Sequence, residues 1–298
     1  MALNINRIQA RYDWLFQRIK DDKFWLSALA IGLVAIHIFI TDKTQSIRIL
    51  SMVVIFWGAI ASMLWDRKKK LTLESDTFSI SFGSVLLCLA LLKTTQIAGS
   101  SPFLQVVPLI FGVGLGSISS GIRGLKQYWR ELICLVVLAM PGEAFSQPIG
   151  WTIALLTPET IATVTAKCST FLLEALNFEV RLDGVLIYLP NSVVEVADAC
   201  ARLRVLDFLV RLSILFLLMF PTDRWGKFIA PLSAVVVGFT INVIRISIMA
   251  HLAATSEAAF HYWHTGGGSQ IFSVISILIF GLVCFWLIRP EFNTPIES

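Results

Sequence analysis

Three residues with reactive side chains lie near the ends of long apolar segments: Cys200, Arg245 and His264. A cysteine nucleophile needs a group that moves protons and a positive group that holds the thiolate or the oxyanion. The free N–H groups at the start of a helix stabilise a thiolate, and the charges of Arg202 and Arg204 favour it too, whereas those of Glu195 and Asp198 oppose it. If the fold brings the first three residues together, their types indicate thiol chemistry.

Each of these residues also has a simpler interpretation when it is taken alone. Cys200 could be a small buried side chain or half of a disulfide with Cys168. Arg245 could extend from an apolar span to the membrane interface, and His264 could be an interfacial polar residue. The position of the three residues in the fold therefore decides between these interpretations.

The composition predicts an integral membrane protein. Of 298 residues, 56% are hydrophobic and 15% are charged, whereas soluble domains carry about 25% charge. The basic residues cluster between apolar runs, as they do in cytoplasmic loops, so the net charge of +4 does not indicate nucleic-acid binding. The five cysteines include no C-x-x-C and no cluster with histidine at zinc spacing, so we expect no metal and no cofactor.

The apolar runs predict an all-α polytopic membrane protein of about eight transmembrane helices. We expect residues 1–298 to form a single integral membrane domain. Pro141-Gly142-Glu143 and Pro148 interrupt the fifth run, which is either a broken helix or a short span followed by an interfacial segment. The predicted spans are Phe24–Ile40, Ile49–Trp65, Phe78–Leu92 with an extension to about Ile97, Phe103–Ser119, Leu132–Leu156, Val205–Phe220, Phe228–Met249 and Ile271–Ile288.

The distribution of lysine and arginine predicts which loops face the cytoplasm. The basic loops are residues 66–70, 123–130 and 224–227. Residues 1–23 are expected to be a cytoplasmic amphipathic lead-in, and counting spans places residues 158–204 on the outer face.

Strand-like alternation between Glu179 and Tyr188 surrounds Asp183-Gly184, a strong hairpin-turn signal. This pattern predicts a small hairpin-like insertion on the outer face, just before the sixth span.

The predicted topology brings the three reactive residues to one side of the membrane. Cys200 begins a span that runs inward, Arg245 lies at the outer end of the next span, and His264 precedes the span after that. All three should therefore reach the same outer boundary.

The motifs around these residues resemble those of the exosortase/archaeosortase family of membrane cysteine transpeptidases. The matching segments are Val194-Glu-Val-Ala-Asp-Ala-Cys200 with Leu203, then Asn242-Val-Ile-Arg245-Ile246, then His264 with Gly268 and Phe272 at H-x-x-x-G-x-x-x-F spacing. The resemblance covers mainly residues 180–275 and is strongest to the cyanobacterial branch, cyanoexosortase A. It selects His264 over His261. One departure is Ala201-Arg202, which stands where the family usually has Ser-Gly.

The resemblance implies catalytic roles for Cys200, Arg245 and His264, with Asn242, Gly268 and Phe272 in support. It also implies exported substrates with a C-terminal sorting tail containing a Pro-Glu-Pro-like motif, an unidentified acceptor nucleophile, and a plasma-membrane enzyme whose site faces the periplasm.

Two other functions stay open from the sequence. One is a non-catalytic transporter or assembly factor, in which Asp207, Arg211 and Arg245 form a polar network. The other is a hydrolase that uses the same residues with water as the acceptor.

Overall fold

The structure, a computed structural model, describes residues 22–45, 47–96, 101–157, 159–196, 204–264 and 268–292. Its elements group into two compact units that divide after Met140. The first unit holds α1 (Asp22–Thr44), α2 (Ile47–Arg67), α3 (Thr77–Thr95), α4 (Pro102–Gly124), a short 3₁₀ turn (Leu125–Tyr128) and α5 (Trp129–Ala139). The second holds α6 (Ser146–Leu156), α7 (Ile161–Ala175), β1 (Arg181–Asp183), β2 (Leu186–Leu189), β3 (Ser192–Glu195), α8 (Arg204–Met219), α9 (Gly226–Thr255), α10 (Glu257–His264) and α11 (Gly268–Phe292).

Glycines allow the helices of the first unit to pack closely. A Cβ atom added to Gly83 of α3 would lie 2.5 Å from the carbonyl oxygen of Gly114 in α4. Small residues let the backbones of apolar helices approach in this way. Around this contact Leu87, Val107 and Phe111 form a buried apolar core with Leu33 of α1.

Six helical segments in the described part of the chain are long and apolar enough to cross a membrane. They are Lys23–Thr44, Ile47–Arg67, Thr77–Thr95, Pro102–Ala139, Gly226–Thr255 and Gln270–Ile288. The protein is therefore a mostly helical, polytopic membrane protein. The described helices do not establish the predicted number of eight spans.

The fifth predicted span is interrupted at its proline-glycine motif. α5 ends at Ala139 and α6 begins at Ser146. Each of these helices has 11 residues and is about 16 Å long, roughly half the thickness of the hydrocarbon core. The sixth predicted span corresponds to α8, which has 16 residues.

A buried ion pair holds the turn between α5 and α6 against α8. Arg211 Nε donates to Asp207 Oδ2 at 2.9 Å, and both side chains are almost fully buried. Asp207 also accepts hydrogen bonds from the backbone N–H groups of Phe145 and Ser146, while Arg211 donates to the carbonyl of Pro141. These bonds satisfy the charges and two backbone donors at the start of α6, where free N–H groups need acceptors.

Residues 181–195 form a three-stranded antiparallel sheet in the order β1-β2-β3. Asp183 pairs with Leu186, so the first loop is Gly184-Val185 and not Asp183-Gly184. Gly184 has a φ of 62°, a left-handed conformation that glycine adopts without strain. The sheet packs through Ile187, Leu189 and Val196 onto a core that includes Ala166 and Leu173 of α7 and Ile246 and Ala250 of α9.

Candidate active site

A cavity of about 620 Å³ opens in the second unit between strand β3 and helices α9 and α10. This volume lies within the range of small-molecule and peptide side-chain pockets. Its lining combines apolar side chains with one guanidinium, two imidazoles and one carboxylate. The lining residues are Val193, Val194, Glu195, Val196, Arg245, Ile246, Met249, Ala253, Phe260, His261 and His264.

Arg245 reaches the cavity from α9 and contacts the end of α10. Its Nη2 donates to the backbone carbonyl of His264 at 3.4 Å. Hydrogen bonds between α9 and α7 fix the position of its helix, because Ser247 Oγ donates to the Ser169 carbonyl at 3.2 Å and Ser169 Oγ donates to the Val243 carbonyl at 3.4 Å. A charged side chain within an apolar span is costly and marks a functional site or a paired charge.

Asn242 lies one turn before Arg245 on α9 and is buried. It is not among the described residues that line the cavity.

His264 is the last residue of the short helix α10. Ser256 caps this helix by accepting a hydrogen bond from the backbone N–H of Ala259 at 3.3 Å. The imidazole stacks on the ring of Phe260, with centroids 5.1 Å apart and planes at 22°. Burial lowers the pKa of His264 below its ordinary value, and the charges of Arg245 and His261 lower it further. The neutral imidazole, which can accept a proton, is therefore favoured near pH 7.

The structure gives a packing reason for the spacing of His264, Gly268 and Phe272. A Cβ atom on Gly268 would lie 2.8 Å from the ring of Tyr262 and 2.9 Å from the ring of Trp263. Phe272 is buried and its ring lies 5.5 Å from that of Trp263. Gly268 thus permits α11 to begin directly against α10, and Phe272 holds that contact.

The candidate nucleophile lies outside the described residues, as do its neighbours Ala201 and Arg202. Val196, four residues before Cys200 in the chain, lines the cavity. Cys168 is a free thiol on α7. The alternative of a Cys168–Cys200 disulfide involves a residue outside the described part of the chain and stays a prediction.

Sequence reasoning did not identify two features of the cavity. Phe260 precedes His264 by four residues, a spacing that places two side chains on one helical face, but the helix was not predicted. The contribution of β3 depends on sheet packing, which the local pattern does not show. Within the described part of the chain, no three His, Cys, Asp or Glu side chains lie close enough to hold a metal ion.

A family model described as transmembrane exosortase matches residues 45–281. A probable archaeosortase E of Methanocaldococcus jannaschii is 28% identical over 104 residues, which cover 35% of this chain and 54% of that protein. The chain thus spans about half the length of this curated relative. No solved structure matches the chain.

Proposed function

Because the chain belongs to the transmembrane exosortase family, we propose that it is a membrane thiol transpeptidase that sorts exported proteins. The observation that carries the proposal is the convergence of Arg245 and His264 on one cavity, whose β3 wall continues in the chain toward Cys200. The family match extends over most of the described helices and includes all three residues.

In the proposed reaction, the neutral imidazole of His264 takes the proton of the Cys200 thiol, and the resulting thiolate attacks a backbone carbonyl of the substrate. The tetrahedral intermediate collapses to a thioester as the C–N bond breaks, and His264 supplies a proton to the departing amine. Arg245 stabilises the thiolate or the oxyanion with its positive charge. The acceptor nucleophile then attacks the thioester, with His264 taking its proton, and Cys200 is released.

The proposed substrates are exported proteins that carry a C-terminal sorting tail with a Pro-Glu-Pro-like motif. Both the tail and its transfer to an acceptor rest on the family resemblance. Within the family, the motif around His264 favours the cyanobacterial subtype, cyanoexosortase A. Asn242, Gly268 and Phe272 are proposed to hold the catalytic residues in place.

We further propose that residues 1–298 act as one integral domain of the bacterial plasma membrane, with the cavity facing the periplasm. The basic loops 66–70, 123–130 and 224–227 support this orientation. Exported substrates reach that face after translocation, which matches the proposed reaction.

A transporter or assembly factor is not favoured by the contacts of the second unit. Asp207 and Arg211 bond to each other and to the turn that begins α6, a structural use of both charges. Arg245 instead lines the cavity beside two imidazoles.

The direct test is co-expression with an exported protein that carries the candidate tail, followed by mass spectrometry of its new C-terminus. Loss of the tail with an added group supports transpeptidation, and a free carboxylate supports hydrolysis. An intact tail with wild-type enzyme, in cells where the substrate has been exported, would contradict the proposed function.

A further inference from the structure

The outer edge of β3 carries backbone groups that bond to no described residue. Ser192 pairs with Leu189 across a two-residue loop, and Val194 pairs with Ile187. Val196 donates to the carbonyl of Val185 at 2.9 Å. Ser192, Val194 and Val196 are therefore the residues that direct their backbone groups toward β2. In an antiparallel ladder the intervening residues direct their N–H and C=O groups to the opposite side.

By this alternation, Val193 and Glu195 present two N–H and two C=O groups to the outer edge of the sheet. None of the described residues bonds to these groups. Val193 is 55% exposed, and Glu195 is also exposed. Unpaired edge groups of this kind are a template for another extended chain.

This edge faces the cavity that holds Arg245 and His264. The four consecutive residues 193–196 all line the cavity. A sheet face would present alternate residues, whereas an edge presents every residue along the strand. The edge of β3, Arg245 of α9 and the imidazoles of α10 therefore line one cavity.

We propose that the substrate binds as an added strand on the edge of β3, with its backbone paired to Val193 and Glu195. The inference rests on the proposed function and specifies how the peptide is held. Backbone pairing supplies affinity that does not depend on side chains, and the neighbouring pockets supply specificity. Pairing also extends the peptide past Arg245 and His264, so that its carbonyl groups are ordered before reaction.

A second copy of the chain is a less suitable partner for this edge. Within the described part of β3, only Val193 and Glu195 carry outward-facing groups, and His261 and His264 of α10 line the same cavity. The cavity volume of about 620 Å³ suits a short extended segment and is small for a second three-stranded sheet.

The proposal predicts that the effect of blocking a backbone N–H alternates along the bound peptide. A fluorescent synthetic peptide containing Pro-Glu-Pro and six flanking residues is bound to the full-length Cys200→Ser protein in nanodiscs. The peptide is then N-methylated at one non-proline position at a time, and binding is measured by anisotropy. We expect affinity to fall about tenfold at two positions that lie two residues apart and to change little at the position between them, because the carbonyls of Val193 and Glu195 accept from alternate N–H groups of the peptide. Equal losses at all positions, no losses, or no binding of the parent peptide would overturn the proposal.

Proline substitution tests the protein side of the same contact. Val193→Pro removes an edge N–H that faces the cavity and leaves the ladder to β2 intact, so peptide affinity should fall about tenfold. Leu182→Pro is the matched control, because Leu182 lies between the hydrogen-bonded pairs of β1 and presents its N–H to the opposite edge of the sheet. Equal affinity of the Val193→Pro protein and the wild type would contradict the proposal.

The two proposals fail separately in this design. Binding with alternation but no cleavage of the parent peptide by the wild-type enzyme would contradict the transpeptidase function and leave strand addition standing. Cleavage that requires Cys200, with binding that shows no alternation, would contradict strand addition and leave the transpeptidase function standing.

Discussion

The guanidinium of Arg245 donates to the backbone carbonyl of His264 at 3.4 Å, which ties α9 to the end of α10. This contact places a permanent positive charge beside the imidazole and inside the same cavity. The bond uses one nitrogen of the planar guanidinium, Nη2, so the position of the positive charge depends on the shape of the arginine side chain.

Arg245→Lys should therefore abolish most processing even though lysine keeps the positive charge. Lysine can also extend to the membrane interface, so it would preserve activity if Arg245 only played that role. We expect kcat to fall roughly 10²-fold, the size of loss typical for one oxyanion donor. Cleavage is measured with the tailed substrate, and immunoblotting of the membrane fraction controls for protein level. A variant that processes substrate at the wild-type rate would remove Arg245 from the mechanism.

The lowered pKa of His264 predicts the acidic side of the pH–rate profile. A general base works only when neutral, so kcat/KM should fall as the pH drops through its pKa, which lies below the ordinary value near 6.5. Arg245→Gln removes a nearby positive charge, so the pKa should rise and the acidic limb should move to higher pH. The pH–rate profile is measured between about pH 4 and pH 8 for the wild type and for the residual activity of Arg245→Gln. An unmoved or oppositely shifted limb would show that Arg245 does not act on the titrating group.

The two histidines of α10 should respond differently to substitution. His264→Ala is expected to abolish processing, with a loss of about 10²–10⁴-fold, because it removes the general acid/base. His261→Ala should only weaken it, although both imidazoles line the cavity. Rates are compared at equal amounts of membrane protein. Equal losses would indicate that either substitution disturbs α10 as a whole.

Local patterns predicted the apolar helices and selected Arg245 and His264, which the structure brings to one cavity, because apolar segment length and the spacing of polar groups within helices are sequence properties. The interruption at Pro141 was visible for the same reason. The turn at Gly184-Val185 differs by one residue from the expected position, since its register depends on how β1 pairs with β2. Likewise, the edge of β3 meets the cavity only because the sheet packs on α9, a tertiary contact that no short motif reports.

Labelling can test the proposed orientation in intact cells. In a background without other cysteines, Asn191→Cys should react with an impermeant maleimide, because the positive-inside pattern places residues 158–204 outside. Lys69→Cys lies in a basic loop and should react only after the cells are permeabilised. Reaction at residue 69 but not at 191 in intact cells would invert the topology and separate the cavity from exported substrates.

The ion pair between Asp207 and Arg211 should matter for stability and not for chemistry. Asp207→Ala leaves a buried guanidinium without its carboxylate and strips the acceptor from two backbone N–H groups, so unfolding should be easier by about 3–5 kcal/mol. Asp207→Asn keeps an acceptor oxygen and should cost less. Thermal unfolding in detergent ranks the stability of the two variants and the wild type. If either variant kept wild-type stability but lost all processing, the pair would have a role in the reaction.

Cysteine substitution separates a nucleophile from a structural thiol. Serine resembles cysteine in size but ionises at far higher pH, so Cys200→Ser should accumulate in the membrane and leave the tailed substrate uncleaved. Cys168 is a free thiol in the structure, and Cys168→Ser should process substrate normally. An impermeant alkylating reagent should inactivate the wild type and modify Cys200. Breaking a disulfide would instead cost about 2–5 kcal/mol whichever partner were lost. If both serine variants proved equally unstable, and neither thiol reacted before a reductant was added, the transpeptidase proposal would lose its nucleophile.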